Sequence, residues 1–234
     1  MSRTERLAIL RDGAQAAWPI CLGFVPIGLA LGVLARQAGF TPLDIGLMSL
    51  LVFAGSAQFI AVALIGAGAA PAAIILTTLI VNIRHLLMSS ALAVHLRGAS
   101  RGFLLLFGYG VTDESFAVNM ARFRDGWDRH RAMVVNQLTN ATWIVATTLG
   151  ALVGSLIPEG AFGIGFALPA MFIALLVYQL QSRIHIITAI IAVLVSTLWY
   201  VTLPGDSHAI AGASIAATCG YLLKRYGRRK GIAA

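Results

Sequence analysis

Charge is scarce in this chain, and acid is scarcer than base. Only 11% of its 234 residues are charged, and nine are Asp or Glu against 17 Lys and Arg. A soluble domain carries roughly a quarter charged residues, so that class is excluded. Cysteine is nearly absent: Cys21 and Cys219 both fall in apolar segments, which leaves no disulfide framework and no metal site. Neither HExxH nor GxSG occurs. His85 and Ser89 share a helix face, but a polar stripe solvates itself in the same way, so the chain is read as no enzyme and no cofactor is expected. The N-terminus holds Glu5 and Asp12 and lacks a short apolar region with a cleavage site. Its first apolar segment is therefore read as retained. Linkers are missing too, so residues 1–234 read as a single transport-sized domain.

A net charge of +8 would suit nucleic acid, but its placement argues otherwise. The basic residues gather in 1–16, in 122–131 and in 224–234. Short cytoplasmic loops and termini of membrane proteins gather them in this way. Contact of the tail with anionic lipid fits the same pattern.

What the chain does have is apolar length. It is 59% hydrophobic with a mean hydropathy of +0.85. The fold class is an all-α polytopic membrane protein. Eight segments read as crossings, at about 18–35, 45–65, 71–95, 102–122, 133–156, 162–180, 184–203 and 209–223, and seven is the rival count. With eight, the termini and even-numbered connections hold thirteen Lys and Arg, and the odd connections hold Arg36, Arg97 and Arg101. Both termini are therefore expected in the cytoplasm.

The chain is organised around TTLIVNIRHLLMSS, residues 77–90, inside the third segment. Arg84 sits near its middle, where an arginine costs about 2.5–3.5 kcal/mol even on mild insertion scales. Something must compensate it. Thr78, Asn82, His85 and Ser89 stand at helical spacing and form one polar stripe, with Arg84 pointing away from Asn82. The helix reads as buried, with protein or water on two faces.

Segment four carries Asp113 and Glu114, the only carboxylates placed at depth. Adjacent helical positions diverge by ~100°, so one carboxylate can neutralise Arg84 while the other takes up and releases a proton. Thr112, Ser115 and Asn119 form a further stripe, and Tyr109 stands one turn before Asp113. Segment five repeats polar residues at Asn136, Asn140, Trp143 and Thr147. Ser56 and Gln58 need partners in hydrocarbon. Gly55 with Ser56 marks a plausible helix break that would aim amide groups at an anion. Pro19, Gly23 and Pro26 predict a kinked or broken first segment, and Pro169 interrupts the sixth. Proline-broken segments in two halves are what an internal repeat leaves.

These motifs resemble one family. FAGSAQF at 53–59, VNIRHLLMS at 81–89, VTDESFA at 111–117 and GFALPAMFIALL at 165–176 are similar to those of the AzlC family, the larger subunits of bacterial branched-chain amino acid exporters. The likeness runs from about Trp18 to the last segment, with one departure at Gly165, where many relatives are expected to carry an acid. The resemblance implies export of valine, leucine and isoleucine across the inner membrane, with methionine as a further candidate. It also implies coupling to protons and a small AzlD-type membrane partner. The residues fit such a substrate. Its carboxylate needs donors, from a helix end, Arg84, or the Ser56, Gln58 and Asn82 group. Its ammonium needs Asp113 or Glu114, and its side chain an apolar wall from Phe53, Phe59, Leu86 and Phe116. The rival readings are a channel-like pore or permease for another small solute, and a subunit inert without its partner.

Overall fold

The computed structural model describes residues 2–158, scattered positions from 163 to 180, 182–202 and 208–229. Among the described residues every regular element is a helix. The chain divides into two compact units, Met1–Ala170 and Met171–Ala234.

In the first unit, α1 (Arg3–Gln37) and α7 (Arg129–Gly154) form the frame. They pack on each other more extensively than any other pair, and they run parallel. Asp12 pairs with Arg131 near the start of both, Phe24 meets Trp143 halfway along, and Arg36 lies against Gly154 at the far end. Glycine permits this approach. A Cβ on Gly32 would stand 2.1 Å from the Thr147 carbonyl oxygen, and one on Gly150 would stand 2.2 Å from that of Leu29. Small residues let backbones meet in this way.

α1 runs through Pro19 and Pro26 without interruption, so of the kink or break expected around Gly23 and Pro26 the break is absent. The reason is position. Pro19, Gly23 and Pro26 are exposed, and nothing lies within 4 Å of a Cβ built on Gly23. The missing amide hydrogens fall on the outer side, while Phe24, Gly28, Leu31 and Gly32 hold the inner side to α7.

The second segment folds back on itself. α2 (Pro42–Leu51) starts at a Thr41–Asp44 capping box with Pro42 in its first turn. It then travels back along α7, with Gly46 beside Thr148 and the Ser49 hydroxyl 2.8 Å from that of Thr147. Val52 and Ala54 leave helical geometry, and α3 (Gly55–Gly66) begins at Gly55. Gln58 in its first turn is back beside Ser49 at 3.0 Å. Gly66 at its end meets Ala38, just past the end of α1. The pair is a hairpin that enters and leaves at one end of the unit.

α4 (Pro71–Leu92) and a short 3-10 turn, η1 (Ala93–His95), run to the opposite end. There His95 stacks on Phe123 at 4.7 Å, beside a cluster of Met88, Leu92, Leu96, Phe107, Phe123 and Ala132. α4 is less buried than its sequence predicts: only Met88 and Leu92 are fully covered. Leu79, Ile83, Leu86 and Leu87 are exposed.

The fourth segment also folds back. α5 (Arg101–Tyr109) and α6 (Asp113–Arg124) are separated by Gly110–Thr112. Phe103 meets His130 near the start of α7, and Tyr109 reaches Asn140 further along. Asn119 of α6 then bonds to Asn136 and Ala132 on the way back. Asp113 and Glu114 therefore open a half-helix instead of sitting mid-span. Two of the eight expected crossings are hairpins, because two half-helices and a linker have the length of one crossing.

The two hairpins are built to one plan. Gly39 and Gly98 take positive φ two residues before the helix caps Thr41 and Ser100, an offset of 59 residues. Gly55, Gly66, Gly68 and Pro71 recur as Asp113, Arg124, Gly126 and Arg129 at an offset of 58, as half-helix start, half-helix end, positive-φ glycine and next helix start. The polar stripe of α4 recurs at the same offset: Thr78, Asn82, His85 and Ser89 become Asn136, Asn140, Trp143 and Thr147. This repeat is not the one expected from Pro26 and Pro169. Pro169 is helical, but most of its neighbours lie outside the described residues.

In the second unit, α8 (Arg183–Thr202) and α9 (His208–Arg229) pack antiparallel, with Gly212 against Ser196 and Gly220 against Thr188. Among the described residues, α1, α4 with η1, and α8 are long and apolar enough to cross a membrane.

Candidate functional site

The hairpin tips meet halfway along the frame. The Tyr109 hydroxyl at the tip of α5 donates to the Leu50 carbonyl at the tip of α2. Asn140 of α7 donates to that hydroxyl at 3.2 Å. Both tips are breaks, so each leaves backbone carbonyls without helical partners, and in a membrane these survive only if protein satisfies them. α7 does so. Besides the Asn140–Tyr109 link, Asn136 donates to the Phe107 carbonyl at 3.0 Å and Gln137 to that of Leu106 at 3.3 Å.

α7 also holds the first hairpin through a buried chain. Trp143 Nε1 donates to Gln58 Oε1 at 2.7 Å, and Gln58 Nε2 donates to Ser49 Oγ at 3.0 Å. Phe24, Phe53 and Trp143 pack edge to face around this tip. Trp143 also closes over Gly55, where a Cβ would come 3.0 Å from the ring. Gln58, Asn136 and Asn140 thus have their amides engaged in positioning the hairpins. Ser49 was not among the residues that the sequence singled out. The signal for it was a hydroxyl in an apolar helix, which needs a partner.

Arg84 joins the leading ends of both returning half-helices. Its guanidinium bonds to Ser56 in the first turn of α3, and it pairs with Asp113, the first residue of α6, at 2.7 Å. The choice left open between Asp113 and Glu114 falls on Asp113. The carboxylate suits its place, since the start of a helix carries positive potential. Thr112 and Ser115 close a capping box around that end. The start of α3 has no side-chain cap and no acid in its first turn. Glu114 lies beside Thr112 and within electrostatic reach of Asp113 and Arg84. His85 feels the same two charges.

Two polar atoms of α4 are buried without a hydrogen-bond partner among the described residues: the acceptor Asn82 Oδ1 and the donor Arg84 Nε. Native structures leave few such atoms, and a missing ligand or water is a common reason. Ser56, Arg84 and Asp113 are in contact, with Glu114 and His85 beside them, while Asn82, two residues before Arg84, faces another side of α4. Asn136 and Asn140 stand on the frame, and Gln58 on α3 is tied to it through Trp143. Phe53 and Phe59 are buried, Phe116 is half-buried, and Leu86 is exposed, on the outer side of α4.

A family model described as AzlC protein matches residues 19–157, the stretch from the middle of α1 to just past the end of α7. The inner membrane protein YgaZ of Escherichia coli is 28% identical over 84% of this chain and 82% of its own length. An uncharacterized membrane protein of Archaeoglobus fulgidus is 30% identical over 81% of this chain and 84% of its own. The branched-chain amino acid transport protein AzlC of Bacillus subtilis is 29% identical over 76% and 70%. No solved structure matches.

Proposed function

Because this chain belongs to the AzlC family of membrane proteins, we propose that it is the transporting subunit of a proton-coupled exporter of branched-chain amino acids. The observation that carries this reading is Arg84, which joins Ser56 at the uncapped start of α3 to Asp113 at the start of α6 and keeps its Nε donor unpartnered among the described residues. An α-amino acid carries the two charges that such a site complements. Its ammonium binds the acids at the start of α6. Its carboxylate binds Arg84 and the uncapped start of α3. Phe53, Phe59 and Phe116 supply the apolar wall. Asp113 is committed to Arg84, which makes Glu114 the proton carrier.

α1, α4 and α7 cross the bacterial inner membrane, and the hairpins enter from opposite faces and meet near mid-depth. Nine of the eleven arginines in the first unit (Arg3, Arg6, Arg11, Arg97, Arg101, Arg122, Arg124, Arg129 and Arg131) lie at the end where α1 and α7 begin. Arg36 lies at the other end. The arginine-rich end faces the cytoplasm, and with it the N-terminus; the basic tail favours the same side for the C-terminus. A small AzlD-type protein completes the transporter. Contact between the two tips favours a gated carrier over a permanent pore.

The test is valine efflux from preloaded cells, with the chain alone and with a candidate partner, before and after the proton gradient is collapsed. Saturable, partner-dependent efflux that falls with the gradient supports the proposal. Glu114→Gln is expected to remove the gradient dependence. Unchanged valine efflux in every condition overturns the substrate assignment.

A further inference from the structure

We propose that the groove between α8 and α9 is a binding site for one anionic phospholipid. The groove is open to the surface, has a volume of about 630 Å³ and is lined by Ile191, Cys219, Leu222, Leu223, Arg225 and Tyr226. Residues 219, 222, 223 and 226 recur at helical spacing, so they form one face of α9. Ile191 closes the groove from α8. Its wall is apolar along its length and basic at one end.

The antiparallel register fixes what stands at that end. Gly212 meets Ser196 and Gly220 meets Thr188, which puts Arg183 at the level of Arg225. Both are exposed, as is Lys224. Arg228 and Arg229 follow on the same helix, and Lys230 comes next in sequence. α8 is apolar enough to cross a membrane, and its first residue is Arg183. The basic cluster therefore stands where an apolar span ends, at the depth of lipid headgroups. A phosphate there meets the guanidinium of Arg225, with Arg183 at the same level of the neighbouring helix, and the acyl chain has the groove to lie in. Basic pockets beside membrane helices hold anionic headgroups in this way. A zwitterionic lipid carries a positive group to the same arginines and is disfavoured.

Native mass spectrometry of the full-length protein in nanodiscs tests this, with phosphatidylglycerol set against phosphatidylcholine of matched chains. One phosphatidylglycerol is expected to stay bound in preference. Arg225→Gln is expected to weaken its retention about fivefold, the effect of one basic residue at a membrane surface. Leu222→Trp keeps every charge and fills the groove, so it should lose the lipid as well. Arg122→Gln, in the first unit, should leave retention unchanged. Equal retention of the two lipids overturns the site, and so does full retention in both groove variants. A tightly held protein in place of the lipid overturns it too.

Discussion

Arg84 touches two half-helices at once, and the planar fork of a guanidinium spans two partners better than the point charge of an ammonium. Arg84→Lys should keep the charge but lose one of the two contacts. The expected result is a folded, monodisperse protein with little valine efflux. Removing either member of the Arg84–Asp113 pair strands the other, which is worse than removing both. Arg84→Gln with Asp113→Asn should therefore melt higher in detergent than either single variant, while all three lose transport. A double variant less stable than both singles would show that the pair is not the unit that matters. The sequence showed that Arg84 needed a counter-charge and offered two neighbouring acids. It could not choose, because the choice depends on which acid opens α6. Gln58, Asn136 and Asn140 looked like site residues because a polar group in an apolar helix reads the same whether its partner is a substrate or a neighbouring helix. Their partners are Phe107, Tyr109 and Trp143, and that pairing depends on breaks invisible in the apolar pattern.

At the scale of elements, the hairpins hang on α7 and meet at Tyr109. Tyr109→Phe removes the hydroxyl that ties the Leu50 carbonyl to Asn140, and with it hydrogen bonds worth about 0.6 kcal/mol each in membrane proteins. Stability should fall slightly. If the tips must part during transport, the affinity for valine and the maximal rate should both change, measured as concentration-dependent efflux. The frame itself is less forgiving. Gly32→Ala puts a methyl group into the Thr147 carbonyl, and overpacking of this kind typically costs about 1–3 kcal/mol. A melting temperature equal to that of the unmodified protein would mean that α1 and α7 are not in contact there. The break at Gly55 was legible from small residues beside a serine. The break at Gly110 was not, since apolar residues run up to it and acids follow it, which suits an uninterrupted crossing equally well. In α1 the prolines misled for the opposite reason: they signal lost hydrogen bonds, but on an exposed face a well-packed helix carries on through them.

At the scale of the molecule, a hairpin and a crossing of equal length differ in where they leave the chain. Eight simple crossings put Ala69 on the cytoplasmic side and Ala99 on the other. Two opposed hairpins reverse both. The reversal also moves Arg97 and Arg101 to the side of the other basic loops, which strengthens the charge asymmetry. The sequence held this answer in the 58-residue spacing of its glycines and polar stripes, but hydropathy alone weighs length and ignores register. Single cysteines at Ala69 and Ala99, with Asp125→Cys as the reference, settle it in a background where Cys21 and Cys219 are replaced by serine. An impermeant maleimide applied to whole cells should label Ala69→Cys and spare Ala99→Cys and Asp125→Cys. In inverted membrane vesicles the pattern should invert. Labelling of Ala99→Cys from outside, with Ala69→Cys protected, would restore the two crossings. It would also separate the half-helix ends that Arg84 joins, and the site proposed between them would go with them.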